Sequence, residues 1–368
     1  MTLLFTVIFV SLVFEYINGF HDTANSIATV VSTKVLTPRL AILLAAVTNL
    51  VGALYGTAVA KTISSGLLEQ PLIPKEMAQT YLICALFGAI VWNLVTWWFG
   101  LPSSSSHALI GGLVGAGLAA AHNNLGVIIF ARAKAGMPWF KYEGLLYKVV
   151  IPMFLSPILG LLVGMLTITL LYLFLQKATP GWVSRVFGKA QLASAAYMGF
   201  SHGSNDAQKT MGIIALSLVG GLNAGTMTDL PGWLSFLQHP MMKDAAGHES
   251  ISIWIKVTCA LVMAAGTAAG GWKIIKTMGH KMVKLQPVDG FAAETTAATV
   301  LGVAAYLGMP VSTTHAITTS IMGVGCAKRF SALNLEVVQR ILWAWILTIP
   351  STALIAYLSM RFWMNLGH

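Results

Sequence analysis

Charge is what this chain has least of. Only 9% of its 368 residues are Asp, Glu, Lys or Arg, against about 25% in an average soluble domain. A water-facing surface needs charge, so a soluble globular fold is excluded. Cysteine is scarce too. Cys84, Cys259 and Cys326 all lie in apolar stretches and form neither metal-ligand spacing nor a disulfide framework. Long polar stretches are also missing. The connections at 62–77, 122–144, 177–187, 222–250 and 277–289 are each too short for a separate soluble domain. Residues 2–20 lack a basic start and a small-residue cleavage pattern, and they carry Glu15. They read as a first membrane helix rather than a removable leader. The net charge of +10 comes from basic residues in short loops between apolar runs. That is the pattern of cytoplasmic loops in membrane proteins, not of a nucleic-acid-binding face.

What is present is apolar: 56% hydrophobic residues, a mean hydropathy of +0.76 and 35 glycines. A span needs about 20 apolar residues to cross a hydrocarbon core about 30 Å thick. The runs at about 2–33, 40–61, 78–99, 145–176, 188–219, 251–276, 290–308 and 336–363 qualify as predicted spans. Two shorter apolar runs, 103–121 and 311–327, each follow a Pro and open with hydroxyl residues. They read as re-entrant half-helices, tolerated at membrane depth only where protein or a water-filled cavity surrounds them. The polar runs around Gly19 and Gly203 are expected to break the first and fifth segments. Pro152, Pro157 and Pro350 are expected to kink theirs.

The chain repeats itself. Gly100-Leu-Pro-Ser-Ser-Ser-Ser-His-Ala-Leu-Ile110 matches Gly308-Met-Pro-Val-Ser-Thr-Thr-His-Ala-Ile-Thr318. Upstream, Asn18-Gly-Phe-His-Asp-Thr-Ala-Asn25 matches His202-Gly-Ser-Asn-Asp-Ala-Gln-Lys209, with Gly19 over Gly203 and Asp22 over Asp206. Chance similarity between apolar chains would pair Leu and Ala, not Gly-x-x-Asp and Pro-x-Ser-x-x-His. We read one membrane domain, residues 1–368, duplicated as repeats of about 1–177 and 188–368. Lys34, Arg39, Arg132, Lys134 and Lys141 flank one side of the first repeat, and Lys273, Lys276, Lys281 and Lys284 the opposite side of the second. This swap favours inverted repeats. Inversion requires an odd number of crossings per half; four spans plus a hairpin leave the count open. The expected fold is all-α and integral to the membrane, each repeat holding a broken helix and a re-entrant hairpin.

Four groups of residues carry the chemistry. Asp22 and Asp206 are carboxylates in mid-membrane, costing at least about 2.5–3.5 kcal/mol each. Their recurrence in both halves points to a coupling-cation or proton site, with helix capping as the plain alternative; His21 lies beside Asp22. Ser103, Ser104, Ser105 and Ser106, like Ser312, Thr313 and Thr314, sit at expected helix N-termini. There, free N–H groups and the positive dipole end favour an anion. Two such tips converging would surround a tetrahedral oxyanion, with ordinary capping as the alternative. Asn25, Asn205 and Lys209 would complete that site, although Lys209 could instead snorkel. His107 and His315 would carry protons or hold the hairpin, and Glu15, Asn93 and Glu294 would line the cavity.

At these motif pairs the sequence resembles the inorganic phosphate transporter (Pit/PHO4) family, over about residues 11–360. His21 stands where sodium-coupled members usually carry Asn, while Asn205 is kept. This mixture is similar to the bacterial low-affinity branch. The resemblance implies a multi-pass phosphate:proton symporter of the inner membrane, not an enzyme, that needs no cofactor or resident metal. The partners it implies are inorganic phosphate, a proton or sodium ion, a divalent metal travelling with phosphate, membrane lipid and a second copy in a homodimer. The rival readings are a sulfate carrier, a passive channel and an intramembrane lipid-pyrophosphate phosphatase. No Arg lies in the four motifs, which counts against the last.

Overall fold

The computed structural model describes residues 1–133, 135–227, 230–243 and 249–366. Lys134, one of the loop charges, lies outside them. The first half runs α1 (Thr2–Ser32), α2 (Pro38–Ala53), α3 (Ala58–Ser65), α4 (Thr80–Phe99), α5 (Ser105–Ala120) and α6 (Ile151–Leu175). The second half repeats the series as α7 (Pro180–Asn223), α8 (Ile253–Ala269), α9 (Trp272–Lys276), α10 (Pro287–Tyr306), α11 (Thr313–Lys328) and α12 (Leu335–Asn365). A small hairpin, β1 (Met241–Lys243) with β2 (Glu249–Ile251), lies between α7 and α8.

Among the described residues, four helical segments are long and apolar enough to span a membrane: Thr2–Ser32, Lys75–Phe99, Leu146–Leu175 and Leu335–Asn365. Counting each bent pair as one span makes six. The expected segments at 188–219 and 290–308 are helical, as α7 and α10, but do not join that set. Polar residues turned inward, such as Gln191, Asp206, Lys209 and Glu294, dilute their hydropathy. Pro152 opens α6 after a π-helical turn, Leu146–Val150.

The broken helices are present, one per half, but not at the Asp motifs. α1 and α7 run unbroken through 18–25 and 201–209. The breaks separate α2 from α3, at 68°, and α8 from α9, at 60°. Gly56 (φ 80°) and Gly270 (φ 74°) occupy the left-handed region at those breaks, where other residues are strained. Gly19 and Gly203 serve close packing instead. A Cβ on Gly19 would meet the Met263 carbonyl oxygen at 2.5 Å, and one on Gly203 would meet that of Asn49 at 2.3 Å. Reciprocally, a Cβ on Gly266 would meet the Tyr16 carbonyl oxygen at 2.2 Å, and one on Gly52 that of Phe200 at 2.1 Å. Long helix α1 therefore crosses the broken helix of the second half, and α7 crosses that of the first, in matching registers. This is the contact symmetry of a duplicated chain.

The hairpin motif has a local logic. Gly100 (φ 65°) and Gly308 (φ 64°) end α4 and α10 in the left-handed conformation. Pro102 and Pro310 follow and discourage continuation. Ser104 and Ser312 then cap α5 and α11, each hydroxyl accepting from the backbone N–H of His107 or His315 at 3.1 Å. Gly, Pro, Ser and His thus specify stop, turn and restart in both halves.

Candidate functional site

The two restarted helices meet at their N-termini. Ser106 Oγ donates to the Val311 carbonyl at 3.1 Å. The His107 and His315 rings lie edge to face at 4.8 Å, and His315 stacks on Trp345. α5 belongs to one half and α11 to the other, so the hydroxyl tips converge.

Long helices α1 and α7 supply the charged groups. Lys209 Nζ donates to Asp206 and to Ser106, tying α7 to the α5 tip. Thr313 Oγ1 donates to Asp206 Oδ2 at 3.2 Å. From α1, Asn25 Nδ2 donates to Thr313 at 3.1 Å and to Thr314 at 2.9 Å. One network thus joins Asn25, Thr313, Thr314, Asp206, Lys209 and Ser106, and every member is buried.

Beside it lies a second group. Asp22 Oδ1 accepts from His21 Nδ1 at 2.7 Å, and His21 Nε2 is 3.0 Å from Thr96 Oγ1. Ser103 donates to the same Thr96 oxygen at 2.8 Å. His202 Nε2 stands 3.4 Å from Asp206 Oδ2, while its Nδ1 bonds Asn49 Oδ1 at 3.1 Å. One donor atom each from Asp22, His202 and Asp206 lies within 4.8 Å of the others, close enough to share a cation. Sequence reasoning passed over His202 and Thr96 as site residues, and read Ser103 only as part of the hydroxyl cluster. For His202 a signal was available, since it precedes Asp206 by one helical turn and so shares its face.

The remaining expected residues divide. Ser104 and Ser312 spend their oxygens as caps. Ser105 Oγ, Asn205 and Asn93 are buried side chains that lack hydrogen-bond partners among the described residues. In a membrane interior such groups carry a cost unless a solute or water meets them. Glu294 stands apart, accepting from Thr29 (2.5 Å), Gln191 (3.1 Å) and Ser194, where it binds α10 to α1 and α7. Glu15 accepts from Thr210 on α7.

Fold and site together define a multi-pass α-helical membrane protein of two repeats, with a buried, charged and hydroxyl-rich centre where the repeats meet. The sequence profile described as the phosphate transporter family matches in two stretches, residues 18–182 and 175–356. The chain belongs to this phosphate transporter family. It is 39% identical over 347 residues (94% of this chain, 93% of the relative) to a Bacillus subtilis protein named "Probable low-affinity inorganic phosphate transporter". A Rhizobium meliloti protein of the same name is 41% identical over 357 residues, covering 97% of this chain and 95% of the relative. A solved structure titled "The sodium-dependent phosphate transporter" superposes with a TM-score of 0.81 at 23% identity, covering 99% of this chain and 100% of that one. At that identity the likeness carries the fold.

Proposed function

We propose that this chain is a secondary active symporter that brings inorganic phosphate across a cell's inner membrane together with protons. The observation that carries the reading is Lys209, buried where the α5 and α11 tips meet and bonded to both Asp206 and Ser106. An ammonium beside two hydroxyl-bearing helix N-termini offers a tetrahedral anion charge, directed donors and the favourable dipole end at once. Ser105, Ser106, Thr313, Thr314, Asn25, Asn205 and Lys209 hold the phosphate in this reading, with backbone N–H groups following Ser104 and Ser312. Asp22, Asp206 and His21 take the coupling cation or proton, which offsets the anion's charge and lowers the barrier to moving the loaded site. The residues are buried together, so solute enters and leaves only when the tips part toward one side or the other.

A second reading, coupling to a metal cation, is favoured by the spacing of Asp22, His202 and Asp206. Flux of labelled phosphate into proteoliposomes separates the two, with a pH gradient or a sodium gradient imposed one at a time. Acid outside is expected to drive accumulation, and Asp22→Asn and Asp206→Asn are each expected to abolish it. Normal transport by both variants with unchanged pH dependence would sink the assignment.

A further inference from the structure

Among the acids near the site, Glu15 is the one with no Lys or His paired to it among the described residues. Asp206 accepts from Lys209, and Asp22 pairs with His21. Glu294, farther off, has both oxygens occupied by three neutral donors. Glu15 is fully buried, its Oε2 takes only the Thr210 hydroxyl, and its Oε1 has no partner among the described residues. A carboxylate in that setting is unstable without an added proton or cation.

Its surroundings form a line. Ser11, Glu15, Asn18 and Asp22 recur at helical spacing along one face of α1. Ser11 Oγ and both polar atoms of Asn18 are buried and likewise lack partners. The charged and titratable groups that act on Glu15 from neighbouring helices are Asp206 and Lys209 of α7 and Cys259 of α8. Glu15 therefore feels the charge of the phosphate-holding centre while standing outside its hydrogen-bond network.

We propose that Glu15 binds and releases the coupling proton, with Ser11 and Asn18 marking the route by which it reaches the centre. The inference rests on the proton-coupled reading above. One proton converts the carboxylate to the neutral acid on the side of entry, passes on to the coupling group of Asp22, His21 and Asp206, and leaves on the other side. Glu15 is thus a coupling residue rather than part of the phosphate-holding group, and its loss should divide two activities that usually fall together.

The test uses the full chain in proteoliposomes, with labelled inorganic phosphate and a pH-sensitive dye inside. Wild type should exchange phosphate, accumulate it under an acid-outside gradient and acidify the lumen as it does so. For Glu15→Gln, accumulation and proton entry are expected to fall at least about ten-fold more than exchange does, because exchange needs no net proton movement. Glu15→Asp should restore proton entry in part. Thr210→Val removes the one donor that the described residues give the carboxylate, so the pH profile of uptake should shift. A purely structural Glu15 would not move that profile. Glu15→Gln vesicles that accumulate phosphate with wild-type proton entry overturn the inference. So does an unmoved Thr210→Val profile, which carries the test if Glu15→Gln fails to assemble. Absence of phosphate exchange in wild type would instead remove the transport reading itself.

Discussion

Lys209 is only 1% exposed, and that burial decides between the alternatives its sequence left open. A snorkelling lysine would run its ammonium to the membrane surface. This one stays inside, bonded to Asp206 and Ser106. Removing one member of a buried pair strands the other charge, at a cost of about 3–5 kcal/mol. Lys209→Met is therefore expected to lower thermal stability in detergent and abolish phosphate uptake. The double variant Lys209→Met with Asp206→Asn should recover much of the stability and none of the uptake. If the double variant is no more stable than the single one, the pair is not coupled as described. Asp22, Asp206 and Lys209 were legible in the sequence because charge in an apolar run is expensive, and the two Asp recur in register. His202 was within reach, one turn before Asp206 on the same helix, but Thr96 was not, because its place depends on how α4 is rotated against α1, which no spacing along one helix reveals.

At the scale of elements, the glycines divide by what stands opposite them. A Cβ on Gly203 would meet the Asn49 carbonyl oxygen at 2.3 Å, whereas one on Gly188, in the same helix, meets nothing within 4 Å. Gly203→Ala should force α7 and α2 apart and destabilise by about 1–3 kcal/mol or more. Gly188→Ala should be neutral or gain up to about 1 kcal/mol from helix propensity. Thermal unfolding of the two variants in one detergent makes the comparison, and equal melting temperatures would refute the close crossing. The same contrast explains where the sequence misled. Gly beside Asp suggested an unwound helix, yet those glycines admit a neighbouring backbone while the helix continues. The true breaks carried a quieter signal, Gly52-x-x-x-Gly56 and Gly266-x-x-x-Gly270, in which the first glycine packs and the second turns.

For the whole molecule, the duplicated motifs made the two repeats readable, but not how they interlock. Besides the crossings of α1 and α7, α5 packs on α12, where a Cβ on Gly115 would meet the Ala353 carbonyl oxygen at 2.0 Å. In the same way α11 packs on α6, where a Cβ on Gly323 would meet the Leu161 carbonyl oxygen at 2.1 Å. One apolar core gathers α4, α5 and α12, and another gathers α6, α10 and α11, so each combines both halves. The repeats cannot swing as separate bodies without tearing these cores. The join that can open is the one between the cores, held at the tips by the Ser106–Val311 bond and the His107–His315 contact. Transport by alternating access then requires the tips to separate. In a background lacking Cys84, Cys259 and Cys326, His107→Cys with His315→Cys, joined by a short reversible cross-linker, is expected to stop uptake until reductant is added. Thr167→Cys with Thr296→Cys joins α6 to α10 within one core, where the hydroxyls are 3.4 Å apart, and its cross-linked form should still transport. Uptake that survives the tip cross-link, or fails equally with both, would place the moving boundary elsewhere in the molecule.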